Sequence, residues 1–540
     1  MCGIFFYIDK KELDVNNLIL ESNKIKHRGP DESRHEVLKI GNYNIFLNFH
    51  RLSINGLDPK NGQPMNIDNN ILICNGEIYN YKKLADKYNI NLETESDCEI
   101  ILHLYKRIGP NFINLLDGVF SFVIIDKNAK KIMIGHDPFG IRALYIGNNE
   151  NCSGCGICSE MKSLYNICDN IDFVKPGSFT IINIGDNLEF NNESYYTFNY
   201  DKSEKAELIE YQGFITYKLR NAVRKRLIGD REVGCLLSGG LDSSIITSIV
   251  CDLLGDPSKV NTFSIGFEGS PDLISAQKVA DYLKTNHTSI VITEQQVIDA
   301  IDDTIYHIES NDITTIRASI SMFLLSKYIR ENTNIKIILS GEGSDEASGS
   351  YLYFHNAPNP ESFDKECIRL LEDVHMFDAL RGDKTTAAWG LEIRVPFFDK
   401  EFMNYYMGID TCDKMVKFGH EKFLLRKSYQ NKLPEDIVWR TKDGFSDGVS
   451  KTDKPLYSII NEYTTRQFNL TEEEYYKKIF NKYYEKQNNI IPYTWLPKWS
   501  GELSNPSGRL INLRKGNSLE KIGLTDINSS EFNKLSKIFN

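Results

Sequence analysis

The run VGCLL, followed at once by SGGLDSS (238–244) and then by the apolar stretch IITSIV, constrains this chain more than any other segment. An apolar run that breaks into Ser and Gly and resumes with helical character reads as the join of a buried strand to a helix N-terminus. Backbone N–H groups at such a join lack partners and the helix dipole reinforces them, so it forms an anion site. The loop does not carry the GxxxxGK[ST] pattern of P-loop kinases. A second strand-like run, IKIIL, ends in SGEGSDE (340–346), and further apolar runs at VNTFSIGF and HTSIVI alternate with helix-like segments. Strands alternating with helices predict a doubly wound parallel sheet with helices on both faces. Two Gly-rich loops at adjacent strand ends would then face each other at the switch point, where ligands bind. Asp242 and Asp345 would hold Mg²⁺ on a bound phosphate, because Mg²⁺ prefers a few carboxylates plus phosphate oxygens.

Upstream of about residue 205 the texture differs. GIFFYI, NIFLNF, NILICN, GVFSFVIID and KKIMIG are short apolar runs punctuated by Gly, Asn and Asp, which read as strands, with helices near 14–26 and 96–108. The stretch NNENCSGCG reads as a loop. At 540 residues the chain exceeds one comfortable core. The boundaries expected are 2–205, 206–515 and a polar tail, 516–540. The formal charge of −11 argues against a nucleic-acid partner. No apolar run is long enough for a membrane span, and MCGIFFYIDKKELD turns charged too soon for a signal peptide. The 11 scattered cysteines fit reduced thiols in a cytoplasmic compartment. Cys152, Cys155 and Cys158, with Cys168 beyond them, have a spacing that suggests a metal. However, GICSEMKSL reads as a strand running into a helix, which aims those thiols in different directions.

Cys2 directly follows the initiator methionine, and its small side chain favours methionine removal. The α-amino group, with an ordinary pKa of about 7.7–8.0, would then serve as a built-in base for the adjacent thiol.

HRGPDES (27–33), HRLSINGLDPKNGQP (50–64), CNGEIYNY (74–81), ESDCEI (95–100) and DGVFSFVIID (117–126) occur in that order. Together they resemble the glutaminase domain of class II amidotransferases. The resemblance implies an αββα N-terminal-nucleophile sandwich that releases ammonia from glutamine through a thioester on Cys2. It also implies an oxyanion hole of the Asn75 side chain and the Gly76 N–H, and glutamine contacts along Arg51, Leu52, Ser53, Ile54 and Asn55. Arg51 would grip the substrate α-carboxylate, and Asp97 with Glu77 the α-ammonium. SGGLDSS is similar to the PP-loop of ATP pyrophosphatases, which cleave between the α- and β-phosphates. TFSIGFEGSPDL, NDITTIRAS, SYLYFHNAPNP, AAWGLEIRVPFFDKEF, WRTKDGFSDGV and YTWLPKW extend the likeness to asparagine synthetases of the eukaryotic type, over almost the entire chain.

That family implies ATP binding by Leu236, Ser238, Gly239, Gly240, Asp242, Ser243, Ser244, Ile265, Ser340, Gly341 and Lys442. Glu342 would act in forming and aminating an acyl-adenylate, and Thr315 and Arg317 would lie near the acyl substrate. It implies glutamine, aspartate and ATP as small-molecule partners, Mg²⁺ as cofactor, and allows a homodimer. Departures from the family pattern fall at Ala347, Ser348 and Ser350, at Gly382 and Asp383, at Ala143 and at Asp443. None removes a group with an implied chemical role. Rival readings are a PP-loop amidotransferase acting on another carboxylate, and a non-catalytic metabolite sensor that keeps the fold.

Overall fold

A computed structural model describes residues 1–149, 154–203, 205–451 and 453–500. The expected polar tail and Cys152 lie outside the described residues.

The strand-rich first part forms two antiparallel six-stranded sheets. In one, the central strand Gly3–Asp9 pairs with Tyr43–Arg51 on one side and Gly154–Cys158 on the other. In the second, Asn70–Ile78 pairs with Gly118–Asp126. Every residue of Gly3–Asp9 is buried, although strand side chains alternate in direction, because both faces of its sheet are covered. Ile4, Phe6 and Ile8 point into the layer between the sheets with Ile45, Leu47, Ile71, Ile73 and Val123. Phe5 and Tyr7 point the other way and pack in a cluster with Leu18, from the helix Val15–Asn23. On the far side Leu72, Phe120 and Phe122 pack with Ile100, Ile101 and Leu104, from the helix Glu99–Ile108. These layers are the αββα sandwich. Each such Ile or Phe withdrawn from water contributes about 1.5–3 kcal/mol before entropy is charged.

The third sheet has five strands, all parallel, in the order Asn286–Val291, Asn261–Gly266, Val233–Leu236, Ile337–Leu339, Glu392–Arg394. In chain order that is 3-2-1-4-5, so the direction of winding reverses between Val233–Leu236 and Ile337–Leu339. Both Gly-rich loops leave the sheet there. Among the described residues no helix is long and apolar enough to cross a membrane.

Three local readings need correction. The helices are shorter than the apolar pattern suggests. Val15–Asn23 gives way to a 3₁₀ turn at Lys26–Arg28, and Glu99–Ile108 starts after Asp97, whose side chain accepts the Ile78 N–H at 2.6 Å. The stretch read as a loop already becomes strand at Gly154. The strand after it ends at Cys158, followed by a 3₁₀ turn at Met161–Ser163 rather than a helix. Cys155 lies in the layer between the sheets and Cys158 in the cluster on the opposite face, as an odd separation along a strand requires. Among the described residues no group of three or more His, Cys, Asp or Glu side chains is arranged to hold a metal ion.

Candidate active site

Cys2 stands just before the strand Gly3–Asp9, whose neighbour in the sheet carries Arg51 at its end. The Cys2 backbone N–H donates to Asn75 Oδ1 at 2.8 Å, and the Leu52 N–H points at Cys2 Sγ at 3.5 Å. Asn75 Nδ2 is buried and makes no hydrogen bond. A buried amide donor without a partner is costly unless a ligand oxygen supplies one. The next residue must be glycine, since a Cβ on Gly76 would lie 2.3 Å from the Val119 carbonyl oxygen. Burial pushes the Cys2 thiol up to about 11, so a base is required to make the thiolate.

Met1 fills the space on the inner side of Cys2. It is fully buried, its amine 3.7 Å from Glu392 Oε2 and its sulfur 2.7 Å from Arg142 Nη1.

The other expected glutamine contacts form the adjoining wall. Asn55 Nδ2 donates to Glu77 Oε2 at 2.5 Å and to Asp97 Oδ1 at 3.2 Å. Burial raises the Asp97 carboxyl to about 6, and it lifts Glu77 well above the usual range with Asp97 adding to the effect. The Arg394 guanidinium, 3.4 Å from Glu77 Oε2, offsets part of that rise. The Ser53 N–H is held by Asp31 at 2.8 Å. Carbonyls of Ser53 and Ile54 accept from Arg231 Nε and the Asp230 N–H, at 3.0 and 2.9 Å. Arg51 is engaged with the turn that follows, donating from Nη1 to Asp58 O at 3.0 Å and from Nη2 to Gly56 O.

At the switch point of the parallel sheet, the two Gly-rich loops line a cavity of about 270 Å³. Leu236, Ser238, Gly240, Asp242 and Ser243 come from the first strand end, Ser340, Gly341, Glu342 and Asp345 from the second, and Ile265 and Lys442 from elsewhere. The loops touch: a Cβ on Gly341 would sit 2.8 Å from the Ser243 nitrogen. Gly239 and Ser244 shape the first loop instead of lining the cavity. Gly239 has φ +69 and no room for a Cβ against Ser275, and Ser244 Oγ donates to Gly240 O at 2.7 Å.

Lys422 supplies the electrostatic centre, and sequence motifs do not single it out. Its Nζ lies 2.5 Å from Asp242 Oδ2 and 2.6 Å from Asp345 Oδ1, while Lys442 Nζ lies 2.6 Å from Asp345 Oδ2. Burial by itself would raise the Asp345 carboxyl, yet Lys422 and Lys442 together hold it far below the ordinary range. Ser344 donates to Asp242 at 2.8 Å, and Ser350, one of the departures, adds a hydroxyl on Asp345. Glu342 is paired with Arg381 at 2.8 Å, and Arg381 also holds Asp378 at 2.6 Å. Burial raises the Glu342 carboxyl despite that arginine.

Thr315 and Arg317 line the same cavity with their polar atoms engaged. Thr315 Oγ1 donates to Asp312 at 2.8 Å. Arg317 is gripped by Glu472 in a fork at 3.0 and 2.7 Å.

The asparagine synthase family model matches residues 215–363 and 356–504, and the glutamine amidotransferase domain model matches residues 1–180. The chain is 39% identical over 550 residues to a probable glutamine-hydrolysing asparagine synthetase of Acanthamoeba polyphaga mimivirus, covering 95% of this chain and 100% of that one. It is 37% identical over 558 residues to the glutamine-hydrolysing asparagine synthetases of Gallus gallus and Homo sapiens, covering 95% of this chain and 98% of each. The chain belongs to the glutamine-hydrolysing asparagine synthetase family. Within an asparagine synthetase the two geometries above belong to one enzyme, a glutamine-dependent ligase.

Proposed function

We propose that the chain makes asparagine from aspartate, ATP and glutamine, with residues 2–205 releasing ammonia and residues 206–515 consuming it. The observation that carries this reading is the pairing of Asp242 and Asp345 across two touching strand-end loops, in a chain that also sets Cys2 against Asn75.

In the first reaction, loss of Met1 frees the Cys2 α-amino group to take the thiol proton. The sulfur attacks the glutamine carboxamide carbon, and the oxygen's developing charge is met by Asn75 Nδ2 and the Gly76 N–H. Ammonia leaves, and water releases glutamate from the thioester. Asp97 and Glu77 receive the substrate α-ammonium. Arg51 meets its carboxylate by exchanging the carbonyls it now holds. Removing Met1 also vacates the buried volume between Cys2 and Glu392, which lies toward the parallel sheet.

In the second reaction, a β-carboxylate oxygen of aspartate attacks the α-phosphorus of ATP and pyrophosphate departs. Ammonia then attacks the acyl carbon, AMP leaves, and Glu342 takes the surplus proton. Lys442 and Lys422 neutralise the departing pyrophosphate. Asp242 and Asp345 are hard oxygen donors of the kind Mg²⁺ takes beside phosphates, and they fit that ion as a pair shared with the two lysines. When bound, Mg²⁺ withdraws negative charge from the phosphate oxygens.

The described cysteines are all free, which suits a reducing, cytoplasm-like compartment. A homodimer is carried from the family resemblance alone.

The test is product analysis with ATP, Mg²⁺, aspartate and amide-labelled glutamine. The expected result is AMP, pyrophosphate and asparagine carrying the label. Absence of aspartate-dependent AMP and pyrophosphate from correctly processed protein would overturn the reading.

A further inference from the structure

The chain that follows the helix Glu472–Tyr484 returns to the cavity at the switch point and supplies part of its wall. Trp495 and Pro497 line that cavity together with Thr315, Tyr351 and Asp378. The Trp495 ring is buried and stands edge-on to Tyr351, with 5.4 Å between ring centres. The Tyr351 hydroxyl lies 3.2 Å from Asp378, which shares Arg381 with Glu342. Trp495 is therefore on the Glu342 side of the cavity. Residues 488–500 form neither helix nor strand, so side-chain anchors must set their path. The Trp495 N–H donates to Asp312 Oδ1 at 2.9 Å, and Asp312 Oδ2 caps the helix Ile313–Asn332 by accepting the Thr315 N–H at 2.8 Å. On one side of Trp495, the Tyr493 hydroxyl accepts from Arg369 Nη1 at 2.7 Å and donates to Asp373. On the other, Lys498 Nζ lies 2.5 Å from Glu366 Oε2. Glu366, Arg369 and Asp373 all belong to the helix Pro360–Asp373. An indole pinned at its own backbone and tied down before and after presents a large, fixed apolar face to the cavity.

We propose that Trp495 is the wall that keeps water from the acyl carbon of the adenylate, so that activated aspartate passes to ammonia. The proposal rests on the synthetase reading above and adds a residue that selects between nucleophiles, which the reading does not require. An acyl-adenylate is open to any nucleophile, and water is far more abundant than ammonia. A site closed by apolar surface prevents that side reaction. In the reaction suppressed, a water oxygen bonds to the acyl carbon and the bond from that carbon to the phosphate oxygen breaks. AMP leaves with the electron pair, and the water protons pass to Glu342 and to solvent. The sum is ATP and water giving AMP and pyrophosphate, with aspartate regenerated.

The experiment gives the full-length processed enzyme ATP, Mg²⁺, aspartate and saturating ammonium, and measures pyrophosphate and asparagine together. A parallel run in heavy-oxygen water reads the label in recovered aspartate and in AMP. Wild type is expected to make the two products in equal amounts and to leave aspartate unlabelled. Trp495→Ala is expected to release pyrophosphate in excess of asparagine by about threefold or more, with the heavy oxygen in aspartate and none in AMP. Trp495→Phe, which keeps a flat apolar face, should restore most of the coupling. A purely structural loosening would lower both products together and leave their ratio alone. Tyr493→Phe, which releases an anchor outside the cavity, provides the same comparison if Trp495→Ala does not fold. An active wild type that already makes excess pyrophosphate overturns the inference alone, as does an active Trp495→Ala enzyme, or Tyr493→Phe in its place, with equal products. A wild type that releases no aspartate-dependent pyrophosphate overturns the functional reading and this inference with it.

Discussion

Asn75 holds the backbone N–H of Cys2 through its side-chain oxygen at 2.8 Å and leaves its own buried nitrogen unpartnered. On the proposed mechanism, one amide would both orient the nucleophile and offer a donor to the oxyanion. Removing a single oxyanion donor costs about 10²–10³ in kcat. Asn75→Ala is expected to lose glutaminase turnover by that factor, with ammonia-dependent synthesis unaffected. Steady-state rates with glutamine and with ammonium as alternative nitrogen sources check both halves.

Cys2→Ala removes the proposed nucleophile. Glutamine use should vanish while synthesis from ammonia continues. Glutamate release persisting in that variant would show that the thioester forms elsewhere or not at all.

Asp97 titrates near 6 because burial disfavours its charge. Below that pH the carboxyl is neutral and loses its attraction for an α-ammonium, which stays protonated throughout. The KM for glutamine should therefore rise as pH falls through about 6, and Asp97→Asn should have a high KM with a flat profile. A wild-type KM independent of pH between 5 and 7 would remove Asp97 from substrate binding.

Glu342 is raised by burial and stands against Arg381, a setting that suits a group taking up a proton. Glu342→Ala should lose asparagine synthesis and retain glutamate release. Unaltered asparagine production would end its assignment.

Lys422 is buried between two carboxylates, and deleting one partner of a buried ion cluster costs about 3–5 kcal/mol. Lys422→Ala should lower thermal stability, raise the KM for ATP and reduce synthesis by about 10²-fold or more, scaled as a few kcal/mol of lost transition-state stabilisation. Lys422→Arg, which keeps the charge, separates the chemical loss from the structural one. Full synthetic activity in Lys422→Ala would show that the lysine only fills space.

The placement of the two strand-end loops was readable from sequence. VGCLL before SGGLDSS and IKIIL before SGEGSDE place Asp242 and Asp345 at neighbouring parallel strands, because a buried strand needs apolar residues and an anion loop needs small ones. The sandwich was legible for the same reason, in apolar runs too short for helices. What local patterns do not encode is which distant side chain balances which charge. Lys422 meets Asp242 across 180 residues, and Arg394 belongs to a motif segment whose composition says nothing of Glu77. Arg317 shows the converse. Its motif position suggests a substrate contact, but Glu472, from a helix with no motif of its own, already occupies its fork. The cysteine spacing misleads because it counts residues without their faces.

With Lys422 and Lys442 seated on Asp242 and Asp345, these four groups in the cleft balance one another's charge. A divalent ion arriving alone would have to evict an ammonium group and give it nowhere to go. An ion that came with a triphosphate would give the displaced lysines new counter-charges on the phosphates. On the proposed function, admission to the cleft would be a trade of partners among four charged groups, favouring a metal–nucleotide pair over either component by itself.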